Sequence, residues 1–192
     1  RMYKFHGQRN GKRIFVLLLL WPLLLFSCLP TISCQRSAPT AESLVRALLQ
    51  SEPNLPDGIL YRWDAPEGAD DFIPDEMLPA TFGFPTDYDG LEQVALFLPT
   101  RYTLTEYAVF LCKTSFDAED TAMRCRGRLR MLRENAATVA PLCGLTPEAY
   151  GAQLDSGMVL IAGRYVLYAL GRDTAQSKKV FLSAVPFTYT TR

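Results

Sequence analysis

Residues 106–114 read EYAVFLCKT, and after a two-residue gap residues 117–140 read DAEDTAMRCRGRLRMLRENAATVA. The first segment is a short apolar run rich in aromatic and β-branched residues, which predicts a strand. The second carries Ala118, Ala122, Cys125, Leu129, Leu132, Ala136 and Val139 at alternating steps of four and three. That spacing puts all seven on one helical stripe, so a helix is expected from Asp117 to about Ala140. Asp117 has the residue type of an N-cap, with Asp120 three positions on as a weak reciprocal partner, and Pro141 stops the helix.

Working outward, residues 92–98 (EQVALFL) give a strand before this unit. Met158–Ile161 and Tyr165–Leu170 flank Ala162-Gly163-Arg164 as a hairpin. Asp173 or Thr174 caps a last helix to about Ser183, and Thr40 caps a first helix whose face is Leu44, Val45, Leu48 and Leu49. Strand, strand, helix, strand, strand, helix predicts a small two-layer α+β domain. Its sheet is expected to be four-stranded and mainly antiparallel, with helices on one face. The helix between the second and third strands also permits a parallel crossover there.

Residues 52–92 are different in kind. They hold eleven acids against the single base Arg62, with six prolines and four glycines. This reads as loop, with Leu60–Trp63 as a candidate short strand and Pro74–Leu78 as a helical turn.

The amino-terminal stretch sets the compartment. Arg1, Lys4, Arg9, Lys12 and Arg13 precede an apolar run from Ile14 to Phe26, and no acid lies among them. Thirteen apolar residues span about 20 Å as a helix, short of the roughly 30 Å hydrocarbon core. Basic flank, apolar stretch and small residues form the pattern of an export signal. Residues 1–33 are therefore read as signal peptide or membrane anchor, 34–40 as a tether, and 41–192 as one α+β domain. Cys34, after Ser33, is the favoured lipid attachment point. Cys28, with Leu25 three before it and Ser27 just before, is the alternative. Extending the run through Ile32 keeps an uncleaved helix open, and cleavage after Ser33 would give a secreted form.

Losing the signal changes the chemistry. The chain balances 20 Lys and Arg against 20 Asp and Glu; beyond residue 33 the count is 15 against 20. An acidic domain argues against nucleic acid as partner. The single histidine, His6, lies in the signal. Histidine-dependent nucleophile systems and histidine zinc sites are thereby excluded from the domain. No cofactor is expected. Cys112, Cys125 and Cys143 fit no metal or redox spacing. Cys112 reads as a small buried hydrophobe, and a Cys125–Cys143 bridge stays open.

Three constellations compete for function. Arg124, Arg126, Arg128, Arg130 and Arg133 on the long helix are the candidate binding residues, facing an anionic envelope polymer, lipid headgroups or an acidic partner. The plain alternative is a solvated face with cations toward the helix C-terminus, some of them answering the acidic 52–92 segment. Asp87, Asp89 and Glu92 around Gly90 form a weak calcium candidate, and an Asp-Gly turn explains them equally. Asp70-Asp71, Asp75-Glu76 and Asp87/Asp89 are candidate carboxylate pairs for an acid/base hydrolase, and acids in such a loop mostly face water. Tyr61, Trp63, Phe72, Phe82, Phe84 and Tyr88 either form a binding loop or staple the acidic segment to the core.

The run Leu104–Phe110 with Phe116–Asp120, and Met158–Leu167 with its trailing helix, resembles an uncharacterised bacterial family, domain of unknown function 4358. The likeness covers about residues 42–183 in spacing more than identity. It implies a small α+β domain at the outer face of a membrane, often lipidated, and carries over no activity or catalytic residue. The expected role is a non-catalytic binding or accessory module of the cell envelope. A carboxylate-dependent glycan hydrolase and a structural partner of a transporter or secretion complex are the alternatives.

Overall fold

The computed structural model describes residues 38–185. The stretch read from sequence as signal or anchor, with Cys28 and Cys34, lies outside the described residues.

The described residues form an α+β fold of five strands and six helices. In chain order they are α1 (Ala41–Ser51), β1 (Gly58–Arg62), α2 (Met77–Phe82), β2 (Leu91–Pro99), β3 (Glu106–Cys112) and α3 (Ser115–Glu134). Then come α4 (Ala136–Val139), a 3-10 turn (Pro141–Cys143), α5 (Pro147–Asp155), β4 (Met158–Ala162), β5 (Tyr165–Leu170) and α6 (Thr174–Ala184).

The sheet order is β1-β2-β3-β5-β4, with every neighbouring pair antiparallel. Because β5 lies between β3 and β4 and runs against both, the crossover through α3 joins two strands of the same direction. The β4–β5 hairpin turns at Gly163, whose φ of 61° places the first turn residue where glycine is favoured.

Two sequence expectations are corrected. The sheet has five strands, not four, because Gly58–Arg62 pairs along β2 from Gly58↔Pro99 to Arg62↔Ala95. Helices cover both faces, not one. Val94, Leu96, Ala108, Phe110, Val166 and Tyr168 face Phe82, Ala118, Ala122, Cys125, Tyr150 and Leu154. The alternate residues Ala95, Phe97, Tyr107, Val109, Leu111 and Leu167 face Leu44, Val45, Leu48 and Phe181 of α1 and α6. The cause is in the strands: EYAVFLC and YVLYAL are apolar at nearly every position and are buried throughout. A strand with one wet face would alternate instead.

Local chemistry sets the helix ends. Thr114, not Asp117, caps α3: its Oγ1 accepts from Asp117 N at 3.1 Å, while Asp117 Oδ2 accepts from Thr114 N at 3.0 Å. Asp117 is thus the third-position partner of a capping box. The helix ends at Glu134, short of Ala140. Asn135 leaves the helical conformation, its side-chain amide donates to the Met131 carbonyl, and α4 restarts the chain in a new direction. Helix α5 was absent from the sequence reading because only Tyr150 and Leu154 of its residues are buried. Its local signal was Thr146 as cap, with Pro147 at the first helical position.

Candidate functional site

The break between α3 and α4 has a structural consequence. With α4, the 3-10 turn and α5 folding back beside the C-terminal half of α3, a hollow of about 270 Å³ opens at the Glu106 end of β3. Its walls are the residues leading into β3 (Tyr102–Leu104), Arg128, Met131 and Leu132 of α3, Val139, Cys143 and Tyr150.

A closed ion pair sits on its floor. Arg128 donates from Nη2 to Glu106 Oε1 at 2.7 Å and from Nε to Oε2 at 3.3 Å, and Tyr168 Oη donates to Oε2 at 2.8 Å. Side-chain exposure is 17% for Arg128 and 9% for Glu106. Burial works against the Arg128 charge, and the hydrogen bonds and charge of Glu106 outweigh it, so the guanidinium is held above its ordinary pKa. Burial first, and the Glu106 charge second, push the Tyr168 phenol well up. The floor thus pairs a guanidinium held cationic with the Glu106 side chain, which also accepts from a phenol held neutral.

Two hydroxyls on the wall are left over. Tyr150 Oη and Thr103 Oγ1 are buried and have no hydrogen-bond partner among the described residues. Tyr150 is itself 0% exposed. Such a group is costly unless something satisfies it. Burial also raises the pKa of Tyr150 and of the half-buried Cys143, with Glu106 adding to both. The Cys143 thiol is therefore a weak nucleophile. At the mouth, Tyr102 and Met131 are 68% and 38% exposed, and Leu142, beside the lining Cys143, is 52% exposed.

Of the five candidate arginines, only Arg128 belongs to this hollow. Arg124 bonds Asp120 at 2.8 Å and the Gly83 carbonyl at 2.6 Å, with its guanidinium 5.4 Å from the ring centres of Phe84 and Tyr88. Arg133 pairs with Asp155 at 2.6 Å and Arg130 reaches Glu134 at 3.9 Å. Arg126 is exposed and has no ion pair among the described residues. The structure does not assemble the five into one patch, because each ridge of α3 meets a different neighbour.

The acids are likewise dispersed. Asp71 bonds Arg62, Asp89 bonds Lys113, and Glu92 bonds Arg164 at 2.6 Å. No group of three His, Cys, Asp or Glu side chains converges among the described residues. Asp87, Asp89 and Glu92, the weak calcium candidate from sequence, are not among any such group. The buried carboxylates, Glu52 and Glu106, bond Tyr107 and Tyr168 respectively, whose side chains lie on opposite faces of the sheet.

The aromatic run mostly staples the acidic segment down. Phe82 and Phe84 are 5% and 4% exposed, and Phe82 packs edge-on to Phe110 at 5.4 Å and to Tyr168 at 5.3 Å. Trp63 is 51% exposed beside a smaller hollow of about 80 Å³ near Phe84 and Tyr88. Cys112, Cys125 and Cys143 are free thiols, so the Cys125–Cys143 bridge left open by the sequence is not formed.

Sequence reasoning missed Glu106, Thr103 and Tyr150. Glu106 had a signal, a lone acid opening an otherwise apolar strand. The other two had none. No family model matches the chain, and neither a curated protein nor a solved structure matches it.

Proposed function

We propose that this chain is a non-catalytic binding module of a bacterial cell envelope, held at the outer face of the membrane through Cys34 or its amino-terminal segment. The observation that carries the binding half is the hollow of about 270 Å³ at Glu106 and Arg128, mostly apolar in its lining above a matched ion pair. Small-molecule sites have this composition, apolar walls with a few placed polar groups. The location rests on the charge and apolar pattern of residues 1–34, and the likeness to domain of unknown function 4358 agrees with it.

Two measurements test this. Metabolic labelling with an alkyne fatty acid is expected to mark the chain, to be lost in Cys34→Ala and to survive Cys28→Ala; the reverse moves the anchor to Cys28. A photo-cross-linker placed at Met131 in native membranes is expected to capture a small molecule or polymer fragment that the same group at Arg126 does not. Release of sugars from purified envelope glycan by the wild-type chain, lost in Glu106→Gln, would instead make the protein a hydrolase.

A further inference from the structure

We propose that the outer ridge of α3 is a self-association surface, on which the same ridge of a second copy of this chain packs antiparallel with Met123 facing Met123. The surface is separate from the hollow and does not depend on its ligand.

The ridge follows from helical spacing. Phe116, Met123, Gly127 and Arg130 are separated by steps of seven, four and three, so they lie on one line along α3. Phe116 is 81% and Met123 61% exposed, whereas Ala118, Ala122 and Cys125 on the opposite side of the helix are buried. Glu119 and Arg126 flank the line on one side. Both are exposed, and neither makes an ion pair among the described residues.

Gly127 is the first sign of a partner. A glycine inside a helix is destabilising, because it orders a freer backbone and packs no side chain. Nothing within the chain calls for one here: an added Cβ would meet no neighbouring atom within 4 Å, and the backbone is ordinary helix. What the missing side chain does provide is room for another backbone to come close to α3.

Charge then sets the direction. In a two-fold contact centred on Met123, residues equally far from it on either side face each other. Glu119 lies four residues before Met123 and Arg126 three after, about 6 and 4.5 Å along the axis. An antiparallel copy therefore brings each Glu119 beside the other copy's Arg126, and does so twice. Phe116 and Arg130 are each seven residues from the centre, which brings each guanidinium within reach of the other copy's phenyl ring. Arg130 is free to turn, since its own Glu134 is 3.9 Å away and the two side chains are 77% and 69% exposed. A parallel copy would instead set Glu119 against Glu119 and Arg126 against Arg126. An anionic surface would meet Glu119 on the same ridge. A contact made by one helix face belongs to the small, transient class of interface, so trapping suits it better than weighing.

The test uses the full chain in detergent, with disulfide trapping by copper phenanthroline and the wild-type chain as blank for its own cysteines. Met123→Cys is expected to trap a covalent dimer well above the blank. Phe116→Cys mixed with a larger, tagged Arg130→Cys is expected to trap the mixed dimer in excess of either homodimer. In the Met123→Cys chain, Glu119→Arg or Arg126→Glu should each lower the trapped fraction about ten-fold, attraction being turned to repulsion at two contacts. The two reversals together should restore it. Gly127→Gln should abolish trapping while raising the urea midpoint, a combination that damage to the fold cannot produce. Trapping of Met123→Cys at the level of the blank would overturn the proposal. So would Phe116→Cys homodimers in excess of the mixed species, a double reversal no better than the singles, or a Gly127→Gln chain that traps like its parent. Each of these results would leave the binding reading of the hollow standing.

Discussion

Replacing Arg128 with methionine is the sharpest test of how the site is built. Methionine keeps most of the apolar stem that packs along α3 and removes only the charge and its donors. Glu106, 9% exposed, then retains the Tyr168 hydroxyl but loses the two guanidinium bonds at 2.7 and 3.3 Å. Breaking a fully buried pair from one side costs about 3–5 kcal/mol, because the surviving charge is stranded. The residual exposure of both partners lets some water reach that charge, so about 3 kcal/mol is expected. For a domain of this size that corresponds to a fall in Tm of about 6–12 °C. The double variant Arg128→Met/Glu106→Gln strands no charge and keeps an acceptor for Tyr168. It should recover about 2 kcal/mol of the loss. Urea unfolding followed by circular dichroism reads both numbers, and with Glu106→Gln alone as the fourth species it closes a double-mutant cycle. A single-variant cost under about 0.5 kcal/mol, or a double variant no better than the single, would refute the reasoning. The pair would then be open in solution, its cation free for an anion, and the charge-matching argument for the hollow would fall with it.

Two further outcomes follow from the buried polar groups. In Gly171→Ala the new Cβ would collide with the Tyr107 hydroxyl and lie 2.9 Å from Glu52 Oε2. It would displace the bonds that Glu52 makes to Tyr107 and to Arg172 N, costing about 2–3 kcal/mol in urea unfolding; an unchanged midpoint would show that this pin contributes nothing. Burial raises the Cys125 thiol and the Tyr168 phenol above their ordinary values of 9.0 and 10.0, so the unfolded chain releases these protons first as pH rises. Stability is expected to be intact below pH 9 and to fall by about 1.4 kcal/mol per pH unit for each group above its ordinary value; a flat profile from pH 9 to 11 would contradict the burial of both.

The fold was legible wherever a signal was local. Thr40 and Asp173 cap their helices as their residue types demand, accepting from Ser43 N and Gln176 N. The β4–β5 hairpin follows from two apolar runs meeting at Gly163. What sequence left open was how many layers these elements build. The information was present, since a strand apolar at every position needs cover on both sides. It was lost because α1 and the acidic segment between it and β2 gave no pattern placing α1 on the second face. That placement is made by contacts far apart in the chain, such as Ala41 N donating to Gln93 Oε1 at 3.0 Å and Tyr165 Oη donating to the Pro39 carbonyl at 2.8 Å.

The site shows the same division more severely. Five arginines on one helix look like a surface for anions when only the helix is considered. Their partners are assigned by the rest of the fold: Asp155 from α5, the Gly83 carbonyl after α2, and Glu106 from β3. Each pairing spends a cation that sequence counts as free. A count of charges therefore points to electrostatic docking, whereas the assembled molecule offers a matched ion pair beside an apolar hollow. What that arrangement presents to a partner is its uncharged wall, with Tyr102, Met131 and Val139 reaching the surface. None of these belongs to any motif, because they come together only where α3 ends at Glu134 and α4 and α5 pack beside it.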